Sequence, residues 1–234
     1  MDKLQKYNPT DKMIDLIGDN YSLLQVMSRF GLSLGFGDKT VKEVCEMNNV
    51  DCQTFLVVVN FMAEGFSRMD GSADDISIPA LVDYLRQAHI YFLDYCLPAI
   101  RRKLIEAIDC SQDDVSFLIL KFFDGYMREV RKHMEYEEKT VFKYVDTLIH
   151  GNAPKNYQIS TFSKHHDQVG ERLTELKNII IKYCPAKANT NVLNAALFDI
   201  YACEEGLESH CKVEDYLFVP AILKLERRMR ENEK

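Results

Sequence analysis

Long apolar runs are missing from this chain: no stretch approaches eighteen uncharged apolar residues, which excludes a membrane-spanning helix. The N-terminal segment MDKLQKYNPTDKMID has neither the apolar core nor the cleavage site of a secretory leader, so the expectation is a soluble, cytoplasmic protein. A basic excess is missing too. The formal net charge is -7, the pI is near 5.4, and acids and bases interleave along the chain. No cationic face is left to track a phosphate backbone, which argues against nucleic acid as a direct partner. Closely spaced cysteine pairs are also absent. Cys45, Cys52, Cys96, Cys110, Cys184, Cys203 and Cys211 are odd in number and scattered, with no CxxC. That pattern disfavours zinc-ribbon and thioredoxin chemistry and fits free thiols in a reducing compartment. No alternating strand pattern, internal repeat or low-complexity tract competes with a helical reading.

What is present is helical periodicity. The chain of 234 residues, 47% apolar, can bury one good core and a small second unit. From Ile78 onward four long segments carry the 3.6-residue apolar period, separated by turn formers. The first spans about Pro79 to Ala107, with Pro98 expected to kink it. The second starts at a capping-box-like Ser111-Gln112-Asp113-Asp114 and ends near His150-Gly151-Asn152. The third covers about Asn156 to Lys182, and the fourth about Thr190 to Arg230, with a bend at Pro220. Long helices with short connections predict an all-α fold, an antiparallel up-and-down four-helix bundle over 78–234. Residues 1–66 read as shorter helices, with Thr40 and Glu43 forming a capping box, and hence as a small helical N-terminal domain. Residues 67–77, polar and acidic, read as the linker.

The chemistry lies in which faces the histidines occupy. His133 and Glu137 in HMEYEE are four apart, and His210 and Glu214 in HCKVED repeat the spacing. One helical turn therefore points an imidazole and a carboxylate the same way. Both pairs sit on apolar stripes: Phe123, Tyr126 and Val130 precede His133, while Ile200, Cys203 and Leu207 precede His210. A carboxylate and an imidazole buried at mid-core cost several kcal/mol unless partnered, and a metal ion partners both. His89 shares the face of Leu81, Leu85 and Phe92, and His166 that of Ile159, Phe162, Val169 and Leu173. Four histidines and two glutamates thus converge from four helices, which predicts a dinuclear centre. Such a donor set suits iron or manganese, and zinc less obviously. His165 rotates off the apolar face, to the surface or to a position behind the ligands, His150 falls in a solvated loop, Glu135 and Glu138 turn to solvated faces, and Tyr84, Tyr126 and Tyr144 are candidates to line the site or to pack the core.

These motifs resemble the hemerythrin-like bundles, and within them the di-iron proteins that repair iron centres in bacteria under nitrosative and oxidative stress. The resemblance covers nearly the whole chain and rests on HMEYEEKTVF, KHHDQVGERL, HCKVEDYLFVP and on His89 upstream of Leu97-Pro98. It implies two non-haem iron ions, oxo- or hydroxo-bridged, with His89, His133, His166 and His210 as terminal ligands and Glu137 and Glu214 as bridges. Manganese or zinc are the possible substitutes. It further implies O2, NO or peroxide as ligands and a contribution to repair or protection of iron-sulfur centres. The alternative is a non-enzymatic O2, NO or redox sensor, or an iron-binding module, signalling to a protein partner. The sequence leaves turnover, client and oligomeric state open, a dimer included. The N-terminal module also resembles that of the family through RFGLSLGFGDKTVKEVCEMNNVD, but Gly35-Phe36-Gly37-Asp38 stands where the family has a Cys-Cys-Gly-Gly turn. Cys45, buried on a predicted helix, offers no obvious replacement for that cysteine pair.

Overall fold

A computed structural model describes residues 7–64, 76–108, 114–152, 157–164, 171–185 and 188–232. Every named element among them is helical, and the one isolated β-bridge pairs Lys12 with Thr40. The helices are α1 (Met13–Asp19), α2 (Leu23–Arg29), α3 (Val41–Met47), α4 (Cys52–Glu64), α5 (Ile78–Ile90), α6 (Leu97–Ala107), α7 (Asp114–Tyr136), α8 (Phe142–Ile149), α9 (Glu171–Tyr183), α10 (Thr190–Val213) and α11 (Val219–Asn232). Two compact units divide the chain: Met1–Ala88 together with Lys212–Lys234, and His89–Cys211.

In the first unit α3 is capped at its start. Thr40 accepts from the Glu43 N–H while the Glu43 carboxylate accepts from the Thr40 N–H, closing the expected capping box. Leu16, Leu23, Val26, Val41, Val44, Phe55 and Phe61 fill its interior. The Phe30 ring meets Phe55 edge-on at 5.4 Å and Tyr84 at 4.8 Å, and Arg29 Nη1 donates to the Tyr84 hydroxyl at 3.3 Å. Asn60 clamps the chain start through both its amide atoms, accepting from the Tyr7 N–H at 2.8 Å and donating to the Tyr7 carbonyl at 3.0 Å. Ser111, Gln112 and Asp113 of the expected capping motif and residues 67–75 of the expected linker lie outside the described residues.

In the second unit α6, α7, α9 and α10 form a ring. Arg101 of α6 grips Asp124 of α7 with two nitrogens, at 2.6 and 3.1 Å. Arg172 of α9 pairs with Glu129 of α7, Lys177 and Thr174 of α9 both donate to Glu204 of α10, and Lys103 of α6 reaches Asp199 of α10 at 2.6 Å. The ring is thereby closed. The Asn189 N–H, just before α10, donates to Ala107 O at the end of α6 at 2.8 Å, so α6 arrives at the end from which α10 departs. Within the ring, Leu97, Ile100, Leu104, Ile119, Phe123, Val130, Leu173, Leu176 and Ile200 are buried. Lys177 is buried and the other pairs are partly or fully exposed; exposed pairs contribute only about 0.2–1 kcal/mol each, so packing holds the ring and the charges fix its register.

Three interruptions shape the long helices. Tyr91–Cys96, Glu137–Val141 and Glu214–Phe218 are π-helical turns. Pro98 and Pro220 follow two of them, each as the second residue of the next α-helix. A proline ring clashes with the carbonyl one turn back in a regular helix, and the widened turn before it accommodates the missing N–H. The third segment corrects the expected continuous helix from Asn156 to Lys182. Ile159–Lys164 is a 3-10 turn, and α9 begins at Glu171. Ile159 and Phe162, both buried, are three apart, the spacing that a 3-10 turn aligns on one side. Ser160 and Thr161 beside them are weak helix formers.

Candidate metal centre

Five of the six residues singled out from the sequence fall within the described structure. His166 lies outside it, as does His165. His89, Glu137, His210 and Glu214 converge, each offering a ligand atom, with these atoms all within 4.8 Å of one another. All four are buried; the two glutamates are 0% exposed. His133 joins through Glu137, its Nε2 being 2.8 Å from Glu137 Oε1, while His89 Nε2 is 2.9 Å from Glu137 Oε2. One carboxylate thus spans two imidazoles.

The helices position these groups in a simple way. His133 and Glu137, like His210 and Glu214, are separated by one turn, so each pair projects from one face. Glu137 and Glu214 are each the first residue of a π turn, and His89 stands two residues before the third such turn. π turns recur at functional sites because the extra residue re-aims side chains. Around His89 the walls are aromatic: the Phe142 ring stacks at 5.5 Å, and the His210 ring lies edge-on at 5.1 Å with Phe92 beyond it at 6.1 Å.

Glu138 departs from expectation. Rather than joining a solvated face, its Oε1 lies 2.9 Å from His89 Nδ1. The cause is the π turn starting at Glu137, which holds more residues per turn than an α-helix, so a face read at 3.6 residues drifts. A carboxylate accepts only, so Nδ1 of His89 is the donor to Glu138 and Nε2 is the nitrogen turned to the cluster. Nε2 faces a Glu137 oxygen at 2.9 Å, an arrangement that calls for a cation, proton or metal, at that place.

The other sequence candidates divide. Glu135 is exposed and takes Lys139 Nζ at 2.7 Å, and exposed His150 meets the Asp146 carbonyl at 2.7 Å through Nδ1, both as expected for solvated positions. Tyr84 belongs to the first unit's core. Burial pushes the Tyr126 phenol up, and the charges it would feel are chiefly those of Cys203, Cys211 and Glu204. Tyr144 packs its ring 4.8 Å from that of Tyr157, which shares a 3.4 Å hydroxyl contact with Tyr136. Burial, then the Tyr136 contact, raises the Tyr157 phenol, and Glu137 adds to the rise. Tyr157 is thus a neighbour of the cluster that helical phase could not reveal, because it precedes the 3-10 turn.

The donor chemistry fits a metal ion. Two imidazoles and two carboxylates, nitrogen and oxygen ligands buried together, form a group that could hold one. Two carboxylates at 0% exposure would cost several kcal/mol each as bare anions, a cost that a bound cation offsets. The family model Hemerythrin HHE cation binding domain matches residues 80–222. A comparison with curated proteins finds no match.

Proposed function

This chain belongs to the hemerythrin HHE cation-binding domain family, and from that premise we propose that it binds two iron ions through His89, His133, Glu137, His166, His210 and Glu214. The observation that carries the reading is the buried convergence of His89, Glu137, His210 and Glu214 within 4.8 Å. His133 extends the set through the shared Glu137 carboxylate, which supports a bridging role for that residue. Glu214, one turn after His210, would be the counterpart bridge, and His166 would be the terminal ligand from the segment before α9. Iron bound there supplies one-electron redox change and a position open to O2, NO or peroxide; manganese or zinc would retain binding with altered redox chemistry.

The chain's own residues do the rest. Glu138 accepts a hydrogen bond from His89 Nδ1 and keeps Nε2 aimed at the cluster. Phe92 and Phe142 exclude water around the imidazoles. His133, at 15% side-chain exposure the least buried of the described candidates, lies on the side from which a small ligand enters. The biological role we propose is reaction with NO or O2 in the protection or repair of iron-sulfur centres in the cytoplasm.

A second reading is a sensor that binds the same ligands without turnover. It draws on continuity of the chain: α10, which carries His210, runs through the π turn into α11, and residues 212–234 belong to the compact unit that also contains α1 to α4. Metal per chain, measured by plasma mass spectrometry on protein prepared without oxygen or chelators, tests the common premise. About two irons in the parent and few in the His133→Ala, His210→Ala double variant are expected; a metal-free parent would sink the reading. Consumption of NO with a reductant then selects repair, and tight binding without consumption selects sensing.

A further inference from the structure

On the second unit α7 and α9 leave an apolar groove of about 620 Å3 between them, lined by Val115, Leu118 and Phe122 from one helix and Ile179 and Tyr183 from the other. Arg172 pairs with Glu129 beyond one end, while Val115 and Tyr183 mark the other, so the two helices run antiparallel along it. Its apolar lip is open to water: Leu118 is 57% exposed and Tyr183 64%. Gly125 adds to the opening. A glycine inside a helix destabilises it by roughly 0.5–1 kcal/mol relative to alanine, and no close neighbour requires one here. A Cβ at Gly125 would have only Arg128 Nη2 within 4 Å, at 3.8 Å, an ordinary contact. The room therefore serves something from outside the chain.

The charges on the groove say what that is. Lys121 stands on the α7 wall and Glu175 on the α9 wall, both exposed and neither in an ion pair within the chain. The remaining cation, Arg172, is already engaged by Glu129. The face thus offers one open charge of each sign, one per wall. An anionic amphiphile would set its head group against Glu175, and a neutral apolar ligand would leave both charges unanswered. A second copy of the same face answers both. We propose that this groove is an isologous interface at which a second copy of the chain packs, α7 of each copy lying over α9 of the other. A two-fold axis along the groove opposes the Lys121 wall of one copy to the Glu175 wall of the other, and does so twice. Leu118, Phe122, Ile179 and Tyr183 then form the apolar centre and the charges its rim. From Val115 to Gly125 the face is roughly 15 Å long, the centre of a small interface, so the dimer is expected to depend on concentration. This interface goes beyond the metal-binding reading and does not rest on it.

The test is sedimentation velocity on the full chain, with a thiol reductant present, from about 1 μM to about 1 mM. The mass should rise with concentration from 27.1 kDa towards twice that value. Lys121→Glu and Glu175→Lys should each weaken association about tenfold or more, because the pair occurs twice and attraction becomes repulsion. Combined in one chain, the two reversals should restore association to within about threefold of the parent. Gly125→Leu should abolish the dimer by filling the groove, while the melting temperature at low concentration holds or rises as the glycine leaves the helix. That variant keeps a readout should a charge reversal fail to fold. A parent that remains at 27.1 kDa at about 1 mM overturns the proposal; native mass spectrometry showing a small apolar molecule retained on that monomer would give the groove to that ligand instead. A dimer that survives Gly125→Leu, or a double reversal no better than either single one, would also overturn it, since the copies would then meet elsewhere.

Discussion

Residues 133–141 and 210–218 are built alike, and where they differ is informative. Each has a histidine, a glutamate four residues on, and a five-residue π turn that begins on that glutamate. His210, however, is 1% exposed and ringed by His89 and Phe92, whereas the His133 side chain retains 15% exposure. The first histidine is part of the interior and the second part of its rim. A proline follows one π turn, at Pro220, and none follows the other. Similar spacing thus serves two environments, and the surroundings, not the motif, decide how strongly each side chain is held.

Substitutions can break this comparison. The largest effect is expected from Glu137→Ala, which removes the carboxylate that meets both His89 and His133. Iron content should fall close to zero, and with it the stabilisation that binding gives, about 2.7 kcal/mol at a hundredfold excess over Kd. Thermal melts with and without Fe(II) read this directly, and a melting point in the variant that still responds to iron would refute the bridging role.

His210→Ala should weaken metal binding more than His133→Ala, because truncation at the buried position also leaves a cavity while the rim position can admit water. Anaerobic Fe(II) titration followed by absorbance separates the two; equal losses would erase the difference between interior and rim. Glu138→Gln comes next. It keeps the shape but weakens the acceptor for His89 Nδ1–H, and a loss of about 10–100-fold in metal affinity is expected. An unchanged affinity would return Glu138 to the solvated face on which helical phase had placed it.

The smallest effect concerns the ring's edge. Arg101, through its hydrogen bond and charge, holds the Asp124 carboxyl below the usual range. A depressed carboxylate contributes stability that is present above its unfolded pKa, about 3.9, and lost as pH falls through the lower folded value. Arg101→Met should therefore cost about 0.2–1 kcal/mol at neutral pH, with the difference vanishing at strongly acidic pH. Urea denaturation at both pH values checks it, and a difference that persists in acid would assign the effect to packing.

The helical class and the two His-x-x-x-Glu pairs were legible in the sequence because α-helical phase is local: Val130 and Leu207 announce the buried face to which His133 and His210 belong. Glu138 was not legible, since its orientation depends on a π turn whose extra residue leaves no mark in an apolar pattern. The 3-10 turn at Ile159–Lys164 escaped for a related reason, its buried residues fitting either helix type over so short a stretch.

A π turn is an α-helix carrying one residue too many. Deleting a single residue between Glu137 and Val141 would restore regular hydrogen bonding there and leave the helix beyond nearly in phase, because five residues at π pitch turn through about the same angle as four at α pitch. Val145 and Leu148 would keep their buried face, whereas the side chains of the turn itself would be re-aimed and the Glu138 contact to His89 would be forfeited. The surplus residue is therefore a local device: it redirects the donors of one turn and leaves the packing on either side in register.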